Sequence, residues 1–435
     1  MEHKKVAFYT LGCKVNQYET NAIAQKFIEK GYEKVEFDEI ADIYVINTCS
    51  VTNMADKKSR QIIRQAKTHN KAAIVVATGC YAQVNKEELE KIEDLDIIVG
   101  NSEKNDIVEI VENYSSKYEQ VGKIEEVKEF QDFGTVTYTE KTRAVIKVQD
   151  GCNNFCSYCI IPYAKGRVRS RKKESVIKEI QEIVKTGIQE VVITGIHVAS
   201  YGKDFTDGTR LIDLLEEINK IDGLKRIRLG SLEPNLITEE FVKRLGNVNK
   251  ICDHFHLSLQ SGCDETLKRM NRKYTTEEFE NGVNLLRNKF PDVALTTDII
   301  VGFPGETEEE FNTTYKFLEK IKFSKMHVFK YSPRKGTLAA KMPNQIFPNV
   351  KEERSNKLLE LSNKNEIEFL ERYIGKTVEV LFESITQEGY IEGHTTNYIE
   401  VKVKGENLEN TIENVEIEGI KDISAVGKLQ NVTKL

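Results

Sequence analysis

At 435 residues, 39% of them hydrophobic and 30% charged, the chain is long enough to bury several cores and to divide into roughly two to four domains. Its longest apolar runs, AAIVVA and LTTDIIVGF, fall short of the roughly 20 residues a membrane span requires, and the start MEHKKVAFY lacks a signal-peptide pattern, so a cytoplasmic protein with no membrane association is expected. The net charge of −6 excludes a global attraction for nucleic acid, and eight cysteines in a reduced compartment point to metal or redox chemistry rather than disulfides.

From Lys5 onward, buried-type strands alternate with amphipathic helices: KVAFYT, NQYETNAIAQKFIEK, DIYVINT, ADKKSRQIIRQAK, AAIVVAT, KEELEKI, DIIVG and NDIVEIVENY. This alternation predicts a parallel α/β domain over residues 1–115 with right-handed crossovers. Cys13, Cys49 and Cys80 each follow one of the first three strands, 36 and 31 residues apart. Parallel strands bring those ends to one sheet edge, where open α/β sheets bind ligands.

Residues 116–141 are polar and read as a linker. Six further strands, RAVIKV, EVVIT, RIRLG, HFHLSL, ALTTDIIV and MHVFKY, alternate with helices over residues 142–370 and predict a partial (βα)6 barrel. Cys152, Thr194, Gly195, Ser231, Gln260 and Gly302 fall at the carboxyl ends of these strands, the side on which barrels carry their sites. A charged helix, VKEERSNKLLELSNKNEIEFLERY, leads to short alternating strands over residues 371–435, which predict a small antiparallel β-barrel.

The strongest motif is DGCNNFCSYC, a C-x3-C-x2-C spacing of Cys152, Cys156 and Cys159 at the mouth of the first barrel strand. Thiolates are natural ligands of iron–sulfur clusters, and three ligands on four irons leave one iron open to a small molecule. A zinc knot would need a fourth Cys or His nearby, and none occurs between Arg143 and Val191. Directly after this triad, KGRVRSRKK crowds Lys165, Arg167, Arg169, Arg171, Lys172 and Lys173 into nine positions, a candidate local contact for RNA. Cys252 and Cys263 read as packing residues, and His197 as the histidine that faces the site. GFPGET is glycine-rich but lacks the ending of a phosphate-binding Walker loop, so its glycines are assigned to a turn or to close approach to adenine.

The cysteine spacing, with Tyr158 before the last cysteine and a partial barrel behind it, resembles the radical S-adenosylmethionine (SAM) superfamily. The resemblance implies that SAM chelates the open iron and is cleaved on reduction to a 5′-deoxyadenosyl radical. LGCKVNQYE, NTCSVT, TGCYAQ, CIIPYAKGRVRSR, ITGIHVASYG, HLSLQSGCDETLKRMNRKY, DIIVGFPGETEEEF and YSPRKGTLAAKM are similar, in the same order, to the methylthiotransferases. By this resemblance the enzyme holds two [4Fe-4S] clusters. Cys152, Cys156 and Cys159 hold the catalytic one, and Cys13, Cys49 and Cys80 hold an auxiliary one carrying the sulfur to be transferred. Tyr158, Thr194, Gly195, Ser231, Glu233 and Gln260 are the expected SAM-pocket residues. The tail resembles a TRAM domain, a small RNA-binding barrel, with GHTTNY its most typical stretch.

Among methylthiotransferases, LGCKVNQYE, QSGCD and GRVRSR are closest to the type acting on threonylcarbamoyladenosine in tRNA; the isopentenyladenosine type more often reads YGCQMN and QSGSD. A carbamoyl-threonine carries a carboxylate that an arginine can bind bidentately, which makes Arg167, Arg169 and Arg171 the candidate substrate contacts. The resemblance further implies tRNA and an electron donor such as flavodoxin or ferredoxin as partners. The tail is a departure, with 12 acidic against 7 basic residues from Glu371 to Leu435, a net charge of −5 that lacks the basic footprint of an RNA-binding domain. Methylthiotransferases for isopentenyladenosine or for a ribosomal-protein aspartate, a radical enzyme with a structural second cluster, and a non-catalytic metal-bound RNA-binding module stay open as alternatives.

Overall fold

A computed structural model describes residues 4–386 and 388–430. The N-terminal sheet contains β1 (Lys5–Thr10), β2 (Glu33–Val35), β3 (Ile43–Thr48), β4 (Ile74–Gly79), β5 (Ile97–Val99) and β6 (Tyr118–Gln120), all parallel, in the order β2-β1-β3-β4-β5-β6. Helices pack on both faces over two apolar layers, one around Tyr44, Ile63 and Tyr81, the other around Tyr18, Phe27 and Val45. The stretch read as a linker is not free. β6 extends the sheet, and Phe133 and Val136 are buried in the second layer, so residues 118–136 strap the domain down.

The central domain contains β7 (Arg143–Asp150), the two-residue β8 (Arg169–Ser170), β9 (Glu190–Gly195), β10 (Arg226–Leu229), β11 (His254–His256), β12 (Ala294–Val301) and β13 (Lys325–Lys330). β7, β9 and β10 run parallel, as do β11, β12 and β13. Single bridges at Ile227/Ile251 and Leu232/Leu257 join the two groups into the partial six-stranded barrel, with β8 added antiparallel at the β7 edge. The period-two alternation of β7 sends Ala144, Ile146 and Val148 into the shell of helices. Val145, between them, packs against the N-terminal core, and helix Lys14–Glu29 contacts both β7 and β9. Helices Thr276–Lys289 and Glu308–Ile321 open with capping boxes, Thr275 with Glu278 and Thr307 with Glu310, which fix where the chain leaves the barrel top.

Helix Pro348–Glu371 packs along β13 and hands over to a closed five-stranded barrel, β14 (Thr377–Ile385), β15 (Tyr390–Thr395), β16 (Glu400–Lys404), β17 (Ile412–Lys421) and β18 (Ser424–Leu429), in the order β14-β15-β16-β18-β17. It is antiparallel except that β16 and β18 pair in parallel. Its GHTTNY turn docks under the central barrel. Arg228 donates to the carbonyls of Thr395 and Thr396, Arg226 to that of His394, and Arg143 pairs with Glu383 at 2.8 Å. Among the described residues no helix is long and apolar enough to cross a membrane.

Candidate active site

Cys13 caps helix Lys14–Glu29, Cys49 follows β3 and Cys80 opens helix Cys80–Val84 after β4, so all three sit at the carboxyl edge of the N-terminal sheet. Gly12, at φ +102°, lies against Cys49; a Cβ there would come within 2.9 Å of the Cys49 sulfur. A side chain would thus fill the space in front of the thiol. Burial pushes Cys80 up to about 12, against the pull of Lys165 and Lys104, and Cys13 and Cys49 push it further. Burial likewise raises Cys49, with Cys13 adding to it. Three thiols that feel one another at a half-buried edge are a donor set suited to iron, whose charge favours the thiolate form. Among the described residues no three His, Cys, Asp or Glu side chains converge tightly enough for a single metal ion.

The second triad lies in the loop after β7. Gly151, at φ +68°, lets the loop pass beneath its own return strand, since a Cβ would fall 1.9 Å from the Arg167 carbonyl. The Cys152 N–H donates to the Gly166 carbonyl at 3.0 Å and the Cys159 N–H to the Cys156 carbonyl at 2.9 Å. Burial pushes Cys152 up to about 11, although the Asn154 N–H pulls the other way, and Cys159 up to about 12 with Cys156 and Cys152 adding to it. This donor set also fits a cluster.

Around this triad stands a polar frame that spacing alone did not reveal. Arg272 directs one guanidinium nitrogen at the Cys156 sulfur (3.2 Å), pairs with Glu233 (3.2 Å) and donates to the Tyr274 hydroxyl (2.9 Å). Asn154 Nδ2 donates to Glu233 at 2.8 Å, and His197 Nε2 meets the other carboxylate oxygen at 2.8 Å. Gln149 holds the His197 N–H (2.7 Å) and the Gly151 carbonyl (2.7 Å). Burial alone would raise Glu233, yet His197, Arg272 and Asn154 outweigh it and hold the carboxyl at about 2. The motif HLSLQSGCDETLKRMNRKY contained Arg272, but only the fold turns it onto the sulfur.

The other expected SAM residues are placed as follows. Tyr158 packs edge-on to Phe303; Thr194 and Gly195 end β9, with Gly195 pressed against Gln149; Ser231 is exposed to a large cavity; Gln260 sits at φ +70° between β11 and β12. GFPGET is a turn closed on itself, in which Glu306 accepts from the Gly302 and Phe303 N–H groups and from Arg354. Cys252 and Cys263 are buried.

The basic run is corrected by the structure. Arg171, 1% exposed, is spent on Glu179 (3.0 Å), Asp132 (3.0 Å) and the Tyr18 hydroxyl (3.2 Å), and Arg169 on the Lys165 carbonyl and Asp150. β8 pairing with β7 draws both inward, so neither guanidinium is free for a substrate carboxylate. Lys165 is buried too. Glu19 Oε1 accepts from Lys147 (2.7 Å) and Lys165 (2.8 Å), its Oε2 accepts from Lys104, and Lys147 also pairs with Asp150 (2.5 Å). This network joins the two cysteine-bearing domains. Arg334, beyond β13, adds a second tie, to Ser50, Asn53 and Asp56 beside Cys49. Of the three proposed arginines only Arg167 is exposed, and its guanidinium lies over the Phe155 ring at 4.6 Å.

Comparison with known proteins agrees with this architecture. The Radical SAM superfamily model matches residues 146–318 and that of Uncharacterized protein family UPF0004 matches residues 5–100. The chain is 44% identical to the threonylcarbamoyladenosine tRNA methylthiotransferase MtaB of Bacillus subtilis, over 92% of this chain and 90% of that one. It is 46% identical to the MtaB of Aquifex aeolicus, over 92% and 97%. A solved structure of the radical S-adenosylmethionine methyltransferase TsrM from Kitasatospora setae shares the fold, with a TM-score of 0.56 at 16% identity, over 75% of this chain and 73% of that one. The chain belongs to the MtaB family of radical SAM methylthiotransferases.

Proposed function

We propose that the protein is a cytoplasmic tRNA-modifying enzyme that replaces the C2 hydrogen of N6-threonylcarbamoyladenosine, beside the anticodon, by a methylthio group. The reading rests on one observation above others: two cysteine triads on separate domains that a buried ion network joins, in a chain that matches MtaB enzymes over more than nine-tenths of its length. Cys152, Cys156 and Cys159 would hold a [4Fe-4S] cluster that binds SAM, and Cys13, Cys49 and Cys80 a second that carries the sulfur. SAM bound at the first cluster supplies, on one-electron reduction, a carbon radical able to abstract hydrogen. Two SAM molecules are consumed per product, one as methyl donor and one as radical source, and a flavodoxin or ferredoxin is the proposed electron donor.

The protein's own groups prepare this chemistry. Arg272 and the Asn154 N–H donate to the sulfurs of Cys156 and Cys152, which orients both side chains as ligands. Glu233, ionised at any working pH, presents a fixed anion on the triad's flank, suited to an amino group, and His197 keeps it from turning away. The Glu19 network and Arg334 tie together the two domains that carry the triads, which matters because a radical acts only on what is held within contact distance. Anaerobic reconstitution followed by iron and sulfide analysis tests the cofactor content. About eight irons per chain, estimated as two cubanes, supports the reading; about four would indicate a single cluster, and zinc alone would reject it.

A further inference from the structure

A cavity of about 1110 Å³ opens between the central barrel, helix Pro348–Glu371 and the C-terminal barrel. One wall carries Lys14, the residue after Cys13, and Ser231, just past β10; its floor is Tyr398 of the GHTTNY turn, stacked on His254 (4.8 Å) and His394 (4.5 Å). The cavity therefore touches the start of the auxiliary-cluster helix and the edge of the SAM side at once. Four lysine or arginine side chains line it. Arg228 is committed to Glu190 (2.6 Å), Lys325 to Glu366 (2.8 Å) and Lys402 to Glu400 (3.2 Å). His256 is matched by Asp298 at 3.2 Å. Lys14 alone among these four has no hydrogen-bond or ion-pair partner among the described residues.

We infer that Lys14 is the specificity residue of this enzyme, binding the carboxylate of the threonylcarbamoyl group while the modified adenine lies in the cavity. The inference rests on the substrate reading above and deepens it. An ammonium with no ion-pair partner among the described residues, facing a partly apolar cavity, is a site for an external carboxylate, which it contacts as a point charge. Its place in the chain matters equally. An anchor on the residue after Cys13 holds the base next to the cluster that delivers sulfur, and the triplet Gly12-Cys13-Lys14 puts cradle, ligand and anchor on one turn. Arg169 and Arg171, buried in ion pairs, cannot take this role.

The test uses the reconstituted full-length enzyme and three anticodon stem-loop RNAs, bearing threonylcarbamoyladenosine, its carboxylate methyl ester, or adenosine. Dissociation constants are measured for wild type, Lys14→Gln and Lys14→Arg, with iron content checked for each. Wild type should prefer the free carboxylate over the ester on the order of tenfold, about 1.4 kcal/mol. Lys14→Gln should bind the two about equally, and Lys14→Arg should keep most of the preference. If Lys14→Gln keeps the full preference, or instead weakens only SAM binding, the assignment to Lys14 is wrong while the substrate reading stands. If wild type binds all three RNAs alike, both the substrate reading and this inference fall. Should Lys14→Gln lose iron, the Lys14→Arg and ester comparison decides, since a cation preserved with no preference for the carboxylate would equally overturn the assignment.

Discussion

Glu19→Gln is the perturbation whose cost the structure defines best. Glu19 is 1% exposed and its carboxylate receives Lys104, Lys147 and Lys165, all buried. Burial pushes its carboxyl up, but the three ammonium groups outweigh this and hold it well below the ordinary range. The amide keeps the shape and removes the charge, leaving Asp150 as the one carboxylate of the network beside Lys147, Lys165 and Arg169. Breaking a buried pair from one side costs roughly 3–5 kcal/mol. Lys104, already pushed down to about 8 by burial despite Glu19, can escape by losing its proton once Glu19 is gone, which places the loss toward the lower end. At about 2–4 °C per kcal/mol for a domain of this size, the melting temperature should fall by roughly 10 °C. Thermal unfolding of the metal-free protein followed by circular dichroism measures it. Because the folded-state carboxyl is depressed, its contribution is present above the unfolded value of about 4.3 and is lost as pH falls through it toward the folded value. The gap between wild type and Glu19→Gln should therefore persist at pH 6 and close only below about pH 4.3. A shift under about 2 °C at neutral pH would refute the claim that this network joins the domains.

Three further outcomes follow from the site. Replacing Cys152, Cys156 and Cys159 by Ala should abolish reductive SAM cleavage, whereas the Ala variant of Cys13, Cys49 and Cys80 should still cleave SAM and form no methylthiolated product; product from the second variant would exclude it as the sulfur-carrying site. Glu233→Gln, which removes the charge shared by His197, Arg272 and Asn154, should slow SAM cleavage by about 10–100-fold, and an unchanged rate in a 5′-deoxyadenosine assay would remove Glu233 from the site. Arg228→Met leaves Glu190 buried without its nearest charge and drops the bonds to Thr395 and Thr396, so limited proteolysis should cut near residues 371–376 faster than in wild type; equal rates would mean that the C-terminal barrel is held by its apolar contacts instead.

Much of this architecture was legible because it is written in period and spacing. The six barrel strands alternate or run apolar at the expected intervals, and C-x3-C-x2-C has few other readings. What escaped is tertiary. β2 and β6 are three-residue edge strands, EKV and YEQ, too short and polar to carry a pattern, and β6 lies inside the stretch read as a linker. Lys165, Arg169 and Arg171 sit in a run that looks solvated, since such residues are rarely buried unless paired, and partners of Lys165 and Arg171 lie far away in the chain; Glu19 is 146 residues from Lys165 and Tyr18 is 153 from Arg171. The same reason hid Arg272 and Asn154, whose roles exist only once the loop after β7 meets β10 and the turn following Met270. Tyr398, in the GHTTNY stretch, lines a cavity beneath the barrel, a position that exists only once the C-terminal barrel docks there.

The central claim is the reaction, and one measurement addresses it most directly. Purified, reconstituted enzyme is incubated anaerobically with SAM, a reductant and three matched tRNAs whose position next to the anticodon carries threonylcarbamoyladenosine, isopentenyladenosine or adenosine, and the digested nucleosides are analysed by mass spectrometry. The account predicts a 2-methylthio product from the first tRNA alone. Equal product from the isopentenyl tRNA would contradict the substrate assignment, and no methylthiolated nucleoside from any of the three, with SAM cleaved, would contradict the account itself.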